Sequence, residues 1–547
     1  MKNARAFLLV LLLAAAPAMF AQQAAGPAAR LDSFFERYNS KDTPGLAVAV
    51  SRDGKVILSR AYGMADLEHE IANTPDTIFE AGSVSKQFTA GAIVTLAIQG
   101  KLSLDDNIRK YVPEVPDYGT PITIRHLLTH TSGLRDWGSV AGITGWPRTT
   151  RVHTHAHVLD IVSRQRALNF PPGNEYSYSN TGFNLLAVIV DRVSGMPFAQ
   201  FTKKHLFEPL GMTRTQWRDD FKRVVKGRAI AYSPLREGGG FEMNMPFENV
   251  HGNCGLLTTV GDLLLWTENL ETAKVGGPMF LEMMHRRGKL NNGKTITYAS
   301  GLVVSEYRGV PEVSHTGSTA GYRAFLARYP KQRLQVAVLT NVSSISPNEG
   351  HRIADIFLDL PAAQAKPKPE PQKVAGLEEK AGLYRNTATS EPLRLVFAAG
   401  ALRLQRGGSL VPVSGTTFRI GETDRTLVFE PAQGGGRPRI RDVRPGEDDI
   451  VYELMPEYAP KTGELGAYAG EYYSPDAEVT LAAEIVEGRL MFRRRPNSRI
   501  PLTPLYEDTF ESSLGLIHFI RDQKGEVAGL SVRQDRVYDL RFERALK

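Results

Sequence analysis

An internal repeat in the last third of the chain constrains the fold more than any other feature of this sequence. Residues 377–404 are echoed about 88 positions later, with an Ala-Gly-x-Tyr motif and a Gly-led apolar segment in the same order. Both copies consist of short segments of alternating apolar and polar residues, separated by turns of Gly, Pro and Asp. The pattern predicts two small antiparallel β-barrels or sandwiches, at residues 376–458 and 459–547.

A segment rich in Pro and Lys, residues 361–375, separates the repeat from the preceding chain, and we interpret it as an extended linker. The remaining 22–360 segment is predicted to form one α+β domain. Strands are predicted at its two ends, as a hairpin around the Asp53-Gly54 turn and as three strands between residues 301 and 340, with a mostly helical region between them.

The N-terminus has the layout of a secretory signal peptide. Lys2 and Arg5 precede an apolar run at residues 6–16, and small residues follow up to position 21. The run is short for a bilayer span. We therefore expect residues 1–21 to be removed, the mature protein to be secreted or periplasmic, and no stable membrane anchor to remain.

Composition excludes some classes of function. The formal charge of +7 is spread over 547 residues, and no basic run is interleaved with aromatic residues, so nucleic acid is not an expected partner. The single cysteine, Cys254, cannot form an intramolecular disulfide, and we interpret it as a small packed residue rather than a nucleophile. No cofactor is expected, and the oligomeric state is left open.

A candidate nucleophile lies at residues 83–86, Ser-Val-Ser-Lys, before an apolar helix that ends near Gly100. Positions three apart share a helix face, so the amine of Lys86 can reach the hydroxyl of Ser83. A helix N-terminus also favours an oxyanion there. Alone, such a motif is usually a helix cap followed by a surface lysine.

Three further motifs accompany this one in the same domain. Tyr178-Ser179-Asn180 ends a turn before an apolar helix, His315-Thr316-Gly317 precedes two predicted strands, and residues 126–134 read His-Leu-Leu-Thr-His-Thr-Ser-Gly-Leu. Taken singly, they are typical of a turn with a helix cap and of a packed strand residue. Their common order along one exported chain favours a catalytic site instead.

Two histidine clusters resemble metal-ligand spacings. His126 and His130 are four residues apart, but no third ligand suggests itself. His153, His155 and His157 alternate in a polar segment that we interpret as a solvated surface run. No metal is therefore expected.

The ordered motifs resemble those of the penicillin-recognising serine hydrolases, and within them the class C β-lactamases, their DD-peptidase and esterase relatives, and the D-aminopeptidases. The resemblance covers residues from about 30 to 360. It implies that the domain has the β-lactamase/transpeptidase fold, an antiparallel sheet with a helical insert. It also implies that Ser83 forms an acyl-enzyme and that Lys86 and Tyr178 share the proton.

The resemblance extends to the residues that bind substrate. Asn180 would hold the substrate amide and Lys86, and the strand His315, Thr316, Gly317, Ser318 would line the site. Backbone N–H groups of Ser83 and Ser318 would form an oxyanion hole, which typically contributes ~10²–10³ in rate per donor.

The sequence departs from the β-lactamase pattern at one position. Class C β-lactamases have Lys-Thr-Gly where this chain has His315-Thr316-Gly317, and a neutral histidine lacks the permanent charge that attracts a substrate carboxylate. Two β-barrel domains after the catalytic domain are a D-aminopeptidase layout. There, a loop from the last domain narrows the site, for which Asp476 and Glu478 are candidates.

We therefore predict an exported serine hydrolase acting on amide or ester bonds of D-amino-acid-containing or peptidoglycan-derived peptides. A class C-like β-lactamase or an esterase is the alternative enzyme. A penicillin-binding envelope sensor without turnover is the alternative from another class.

Overall fold

The computed structural model describes residues 26–358, 374–421, 423–432, 436–444 and 449–545. The predicted signal peptide and residues 361–373 of the predicted linker lie outside these ranges, so both stay predictions. The described residues form two compact units, one within residues 1–142 and 146–362 and one within residues 143–145 and 363–547. Among the described helices, none has the length and apolar character that crossing a membrane requires.

The N-terminal unit contains thirteen strands within its described residues. They are β1 (Leu46–Arg52), β2 (Lys55–Tyr62), β3 (Met64–Asp66), β4 (Ile71–Ala72), β5 (Phe79–Glu80), β6 (Gln216–Trp217), β7 (Tyr232–Pro234), β8 (Phe241–Met243), β9 (Leu256–Thr258), β10 (Val303–Tyr307), β11 (Val310–Thr319), β12 (Tyr322–Tyr329) and β13 (Leu334–Thr340).

The α-helices of this region are α1 (Pro27–Phe35), α2 (Ser85–Ile98), α3 (Ile124–Leu128), α4 (Trp137–Ile143), α5 (His155–Ser163), α6 (Asn180–Ser194), α7 (Phe198–Thr202), α8 (Glu208–Leu210), α9 (Val260–Thr272), α10 (Gly277–His285) and α11 (Glu349–Phe357). A π-helix spans Lys203–Phe207, and 3₁₀ turns span Glu36–Tyr38, Gly82–Val84, Ile108–Lys110 and Pro330–Gln332.

Six strands from the two ends of the unit form one antiparallel sheet, in the order β10-β11-β12-β13-β1-β2. Strand β1 pairs with β2 on one side and with β13 on the other, so Ala49 lies opposite Ala337. Both central strands are buried along nearly their whole length, because helices cover both faces of the sheet, which explains their continuous apolar sequences. The α+β prediction is confirmed.

One element of the sheet differs from its prediction. The His315-Thr316-Gly317 motif precedes β12 and β13, as predicted, but it also lies inside a ten-residue strand, β11. Pro311 and Gly317 lower the intrinsic strand propensity of this segment, but pairing with β10 and β12 outweighs it. Two of the three strands predicted between residues 301 and 340 are confirmed, as Tyr322–Tyr329 and Leu334–Thr340.

The C-terminal unit contains two antiparallel sheets, each with more strands than the six-stranded sheet of the N-terminal unit. The first has eight strands: β14 (Gly382–Asn386), β15 (Pro392–Ala398), β16 (Ala401–Leu404), β17 (Leu410–Pro412), β18 (Thr417–Ile420), β19 (Thr426–Glu430), β20 (Arg439–Val443) and β21 (Ile450–Met455). The second has nine: β22 (Gly470–Ser474), β23 (Val479–Val486), β24 (Arg489–Arg494), β25 (Ser498–Pro501), β26 (Thr503–Tyr506), β27 (Thr509–Ser512), β28 (Gly515–Arg521), β29 (Val527–Gln534) and β30 (Val537–Arg544). The described part of the unit also contains a short helix α12 (Thr462–Leu465) and 3₁₀ turns at Glu378–Lys380 and Gly466–Tyr468.

Both sheets are nearly closed barrels, as the repeat predicts. In each, the two edge strands are consecutive in the chain, β16 with β17 and β25 with β26. Equivalent strands also begin alike: Gly382 opens β14 with φ 151° and Gly470 opens β22 with φ 152°, each just after a 3₁₀ turn.

Candidate active site

Ser83 lies in the 3₁₀ turn Gly82–Val84, between strand β5 and helix α2. Gly82 has φ 51°, a left-handed conformation that glycine adopts at little cost. The chain therefore turns sharply after β5, and the hydroxyl of Ser83 remains half-buried rather than enclosed.

Lys86 is fully buried, and the contacts of its amine include three oxygen atoms. Nζ is 3.1 Å from Oγ of Ser83, 3.0 Å from Oδ1 of Asn180 and 2.9 Å from the backbone oxygen of Asn253. The predicted reach from Lys86 to Ser83 is thus present in the structure, across one helical turn.

The three contacts suit both protonation states of this amine. An ammonium group donates to all three oxygens, whereas a neutral amine donates to the Asn180 and Asn253 oxygens and accepts from the Ser83 hydroxyl with its lone pair. Only the hydroxyl can reverse its role, because an amide oxygen cannot donate. Lys86 can therefore take up and release a proton at Ser83 without moving.

Tyr178 and Asn180 approach this lysine from the start of helix α6. The Lys86 ammonium lies 4.8 Å from the centroid of the Tyr178 ring. The backbone N–H of Asn180 donates to Oδ2 of Asp136 at 2.7 Å, which occupies one of the donors that a helix N-terminus leaves free. Buried Asp136 thereby fixes the entry of α6, and with it the direction of the Asn180 side chain.

His315 uses both ring nitrogens inside the protein. Nδ1 lies 2.6 Å from the carbonyl oxygen of Thr316, which can only accept, so Nδ1 carries the proton. Nε2 then accepts from the phenol of Tyr298 at 2.9 Å. Burial, with a smaller effect from the Lys86 charge, lowers the pKa of His315 to about 4. The ring is neutral and its polar atoms are occupied.

Strand β11 lies directly against the turn that carries Ser83. A Cβ at Gly317 would be 2.1 Å from the carbonyl oxygen of Ala81, and a Cβ at Gly82 would be 2.5 Å from the backbone nitrogen of Ser318. Only glycine fits at both positions. The structure therefore brings Ser83 and Ser318 into adjoining backbone segments.

The side chains of β11 alternate in accessibility next to this turn. Thr316 and Ser318 are exposed, whereas His315 and Gly317 are buried, as expected for the two faces of a strand. Opposite Ser318 on β12 lies Arg323, half-buried, whose guanidinium donates to the carbonyl oxygens of Ala320 and Tyr322. Among the described residues no carboxylate pairs with Arg323.

A buried ion-pair network supports the strand that precedes Ser83. Arg218 donates from Nε and Nη2 to the two carboxylate oxygens of Glu80 at 2.8 and 3.0 Å, and both side chains are at most 1 % exposed. Glu248 lies 3.9 Å from Arg218 and is held in turn by Arg148. Glu80 is three residues before the nucleophile, so the network fixes the beginning of its turn.

Sequence reasoning missed three contributors to this site. Asn253 acts through its backbone oxygen, which no side-chain motif reveals. The nearby glycines Gly252 and Gly255, which have φ 94° and 96° in the structure, were the available signal. Tyr298 and Asp136 contact the motifs from two separate non-helical segments. Both are recognisable only once the fold places them.

The cysteine and the histidines that the sequence analysis considered as a nucleophile or as metal ligands are packed or capping residues in the structure. Cys254 is buried, as predicted. His126 accepts at Nδ1 from the backbone N–H of Thr123 and caps helix α3. The interpretation of residues 153–157 as a solvated run is wrong: His153 is 2 % exposed, since its ring packs against Trp137 and its Nε2 contacts the Trp146 carbonyl at 3.1 Å.

Residue types that bind metals come together at a place other than the candidate active site. Across the described ranges, three His, Cys, Asp or Glu side chains bring their ligand atoms within 4.8 Å of one another only at Asp66, Glu68 and His69, on the surface.

In the C-terminal unit, Asp476 is buried in the turn between β22 and β23, and Glu478 is exposed. Their predicted role in narrowing the site stays a prediction.

Comparison with known proteins agrees with this geometry. Residues 31–359 match the family model described as Beta-lactamase. The D-aminopeptidase of Gluconobacter oxydans (strain 621H) is 27 % identical over 456 residues, 81 % of this chain and 83 % of the relative. Penicillin-binding protein 4* of Bacillus subtilis (strain 168) is 28 % identical over 422 residues, 71 % of this chain and 90 % of the relative.

Among solved structures, the octameric penicillin-binding protein homologue from Pyrococcus abyssi superposes with a TM-score of 0.56 at 24 % identity, over 78 % of this chain and 100 % of that chain. This likeness concerns the fold alone. The family model covers more than half of the sequence and includes every motif of the site. The chain belongs to the Beta-lactamase family of serine hydrolases.

Proposed function

We propose that this protein is an exported hydrolase that cleaves amide or ester bonds of D-amino-acid derivatives through an acyl-enzyme on Ser83. The observation that carries the mechanism is the contact of 3.1 Å between Lys86 Nζ and Ser83 Oγ, made while the same amine also contacts the amide oxygens of Asn180 and Asn253. The substrate class and the export belong to the proposal.

In the first step Ser83 Oγ attacks the substrate carbonyl carbon, and its proton passes to Lys86 and Tyr178. The C–N or C–O bond then breaks, and Tyr178 returns that proton to the leaving nitrogen or oxygen. A water molecule then attacks the acyl carbon and gives one proton to the same pair, the bond between the acyl carbon and Ser83 Oγ breaks, and the pair returns the proton to Oγ. General acid–base catalysis of this kind contributes ~10²–10⁴ in rate.

The neutral state of His315 supports the substrate class. A lysine at this position would offer a permanent charge to a carboxylate, whereas both nitrogens of His315 are occupied by Tyr298 and Thr316. Substrates that lack a carboxylate therefore lose no binding contact when His315 replaces a lysine. The similarity to D-aminopeptidases over four fifths of both chains agrees with this preference.

Replacing the nucleophile tests the mechanism. Ser83→Ala should abolish hydrolysis of D-alanyl p-nitroanilide while the melting temperature stays near that of the wild type. Ser163→Ala, at an exposed serine of helix α5, is the matched control and should retain full activity. Undiminished hydrolysis by Ser83→Ala would rule out the assignment of the nucleophile.

Arg323 favours a second candidate, a hydrolase of carboxylate-bearing substrates such as penicillins. Directly paired residues in a sheet share a face, with Cβ atoms ~5 Å apart, so Arg323 lies beside Ser318. A half-buried guanidinium without a carboxylate partner among the described residues is suited to bind an anionic substituent. The similarity to penicillin-binding protein 4* supports this alternative.

Nitrocefin and D-alanyl p-nitroanilide separate the two candidates. We expect turnover of the anilide, with nitrocefin hydrolysed slowly or not at all. Fast nitrocefin turnover that falls in Arg323→Gln would favour the second candidate. Stable labelling of Ser83 by a fluorescent penicillin, without turnover of either substrate, would favour the envelope sensor.

Export is tested by fractionation of a Gram-negative host. The chain with its first 21 residues should be recovered in the periplasm and begin after the signal segment. A chain without those residues should stay in the cytoplasm. Retention of the full-length chain in the cytoplasm would contradict the proposal.

A further inference from the structure

His130 lies at the centre of a cluster of aromatic rings beside the candidate nucleophile. Its ring centroid is 4.2 Å from that of Tyr178, 4.6 Å from that of Tyr298 and 5.2 Å from that of Phe183. The residue is 2 % exposed. The ring of Tyr178 therefore rests on a buried surface that His130 provides.

His130 also holds the backbone on both sides of Tyr178. The N–H of Ser177 donates to the carbonyl oxygen of His130 at 2.9 Å. The N–H of Ser179 donates to Nδ1 of His130 at 3.2 Å. A backbone N–H only donates, so Nδ1 carries the lone pair and the ring is neutral with its proton on Nε2. Three consecutive residues of the Tyr-x-Asn turn thus contact one histidine.

The backbone of His130 is arranged for these contacts. Helix α3 ends at Leu128, and His130 has φ 57°, in the left-handed region. A non-glycine residue in a sparsely populated backbone conformation typically costs ~1–3 kcal/mol, and such residues concentrate at functional sites. His126, on the helix itself, caps α3 instead. The two histidines of the motif therefore have separate roles.

We propose that His130 is a positioning residue that fixes the Tyr178 phenol relative to Ser83 and Lys86. The inference rests on the proposed function, in which Tyr178 returns a proton to the leaving group. The Tyr178 ring has to stay close to Lys86, whose amine is 4.8 Å from its centroid. Misplacing a catalytic group by ~1 Å can cost ~10² in rate.

Two variants separate the contacts of His130. His130→Asn keeps an acceptor atom, Oδ1, near the position of Nδ1, and asparagine tolerates a left-handed φ, but the ring contact is lost. His130→Phe keeps a ring and loses the acceptor for Ser179. His126→Asn is the matched control, since it alters the same motif at the helix cap and should leave activity unchanged.

The test compares two leaving groups on one acyl group. The amine of D-alanyl p-nitroanilide needs a proton to leave, whereas the phenolate of the D-alanine p-nitrophenyl ester leaves without one. We expect both His130 variants to lower kcat/KM about 100-fold for the anilide, which needs both the removal of the Ser83 proton and a proton for its leaving group, and about tenfold for the ester, which needs only the first transfer. Partial unfolding would lower both values equally. An equal fall for the two substrates, or wild-type values in both variants, would overturn the proposal.

Covalent labelling of Ser83 by a fluorophosphonate tests the role of His130 without assuming any substrate class. The reagent reacts with an activated serine and releases fluoride, so its rate reports the proton transfer from Ser83 without any D-amino acid. If the wild type is labelled but hydrolyses neither D-alanine derivative, the proposed substrate class fails while the role of His130 is still measured. Labelling of both His130 variants at the wild-type rate would then overturn that role, and slower labelling with normal melting temperatures would support it.

Discussion

The phenol of Tyr298 donates a hydrogen bond to Nε2 of His315, at 2.9 Å, within the buried side of strand β11. This bond stabilises the neutral ring, since a protonated Nε2 could not accept it. Burial and the Lys86 charge already disfavour a charge on this histidine, and the bond from Tyr298, a neighbour that no motif includes, adds to that preference. Position 315 therefore offers no charge to a substrate carboxylate.

Removing the phenol should weaken the preference of His315 for its neutral state. In Tyr298→Phe, Nε2 loses its donor, so the pKa of His315 should rise from about 4, while burial still holds it below its ordinary value of about 6.5. The acid limb of kcat/KM should move to higher pH, and stability should fall by about 1–3 kcal/mol because a buried acceptor is left unpaired. A pH–rate profile of the variant checks this. An acid limb that stays in place would contradict the role of Tyr298.

Folding stability should depend on pH through His315. Burial lowers its pKa to about 4 in the folded protein, so between that value and about 6.5 the unfolded chain binds a proton that the folded chain does not, and stability rises with pH. His315→Asn lacks this titration. The stability difference between the wild type and His315→Asn should therefore shift by about 2 kcal/mol from pH 5 to pH 7, in favour of the wild type. Urea denaturation at the two pH values measures it, and an unchanged difference would exclude the effect.

Breaking the buried pair before the nucleophile should destabilise the protein. Glu80→Ala leaves the Arg218 guanidinium buried with only the more distant Glu248 nearby, and removing one partner of such a pair costs about 3–5 kcal/mol. The double variant Glu80→Leu with Arg218→Met removes both charges and should recover most of this loss. Chemical denaturation of the three proteins provides the comparison, and a mild effect of Glu80→Ala alone would show that the pair is unimportant.

A methyl group at Gly317 should disturb the site through the backbone. Its Cβ would lie 2.1 Å from the carbonyl oxygen of Ala81, so strand β11 has to move away from the turn that carries Ser83. Gly317→Ala should lower kcat about 100-fold or more, because ångström-scale misplacement has that effect. The control is Gly261→Ala in helix α9, where a Cβ meets only an ordinary contact at 3.8 Å. Wild-type kcat in Gly317→Ala would contradict the proposed fit.

Some of the site was predictable because its chemistry is encoded by neighbours in sequence. Ser83 and Lys86 are one helical turn apart, so their contact follows from local geometry. The approach of Asn180 and His315 required the resemblance to a known family, since the chain separations are too long for local rules. The resemblance also indicated the fold of the domain.

Other features were unpredictable for physical reasons. The carbonyl oxygen of Asn253 is present in every residue, so its contact with Lys86 depends on the path of the chain alone. Strand β11 is stabilised by pairing with its neighbour β12 rather than by the intrinsic strand propensity of its residues. The segment containing His153 looks polar along the sequence, yet this histidine is buried because its ring packs against Trp137. Each case is a tertiary interaction that outweighs a local preference.

The pairing of β1 with β13 bears on how the enzyme is synthesised. Residues 46–52 cannot gain this neighbour until residues 334–340 have been made, and Ser318 also follows Ser83 by most of the domain. At roughly 5–20 residues per second, translation of the intervening chain takes on the order of ten to fifty seconds. During that interval one edge of the β1–β2 hairpin is unpaired and the strand that faces the nucleophile does not exist. The nascent chain therefore carries its nucleophile long before it can use it, and hydrolysis begins only after most of the first unit has been translated.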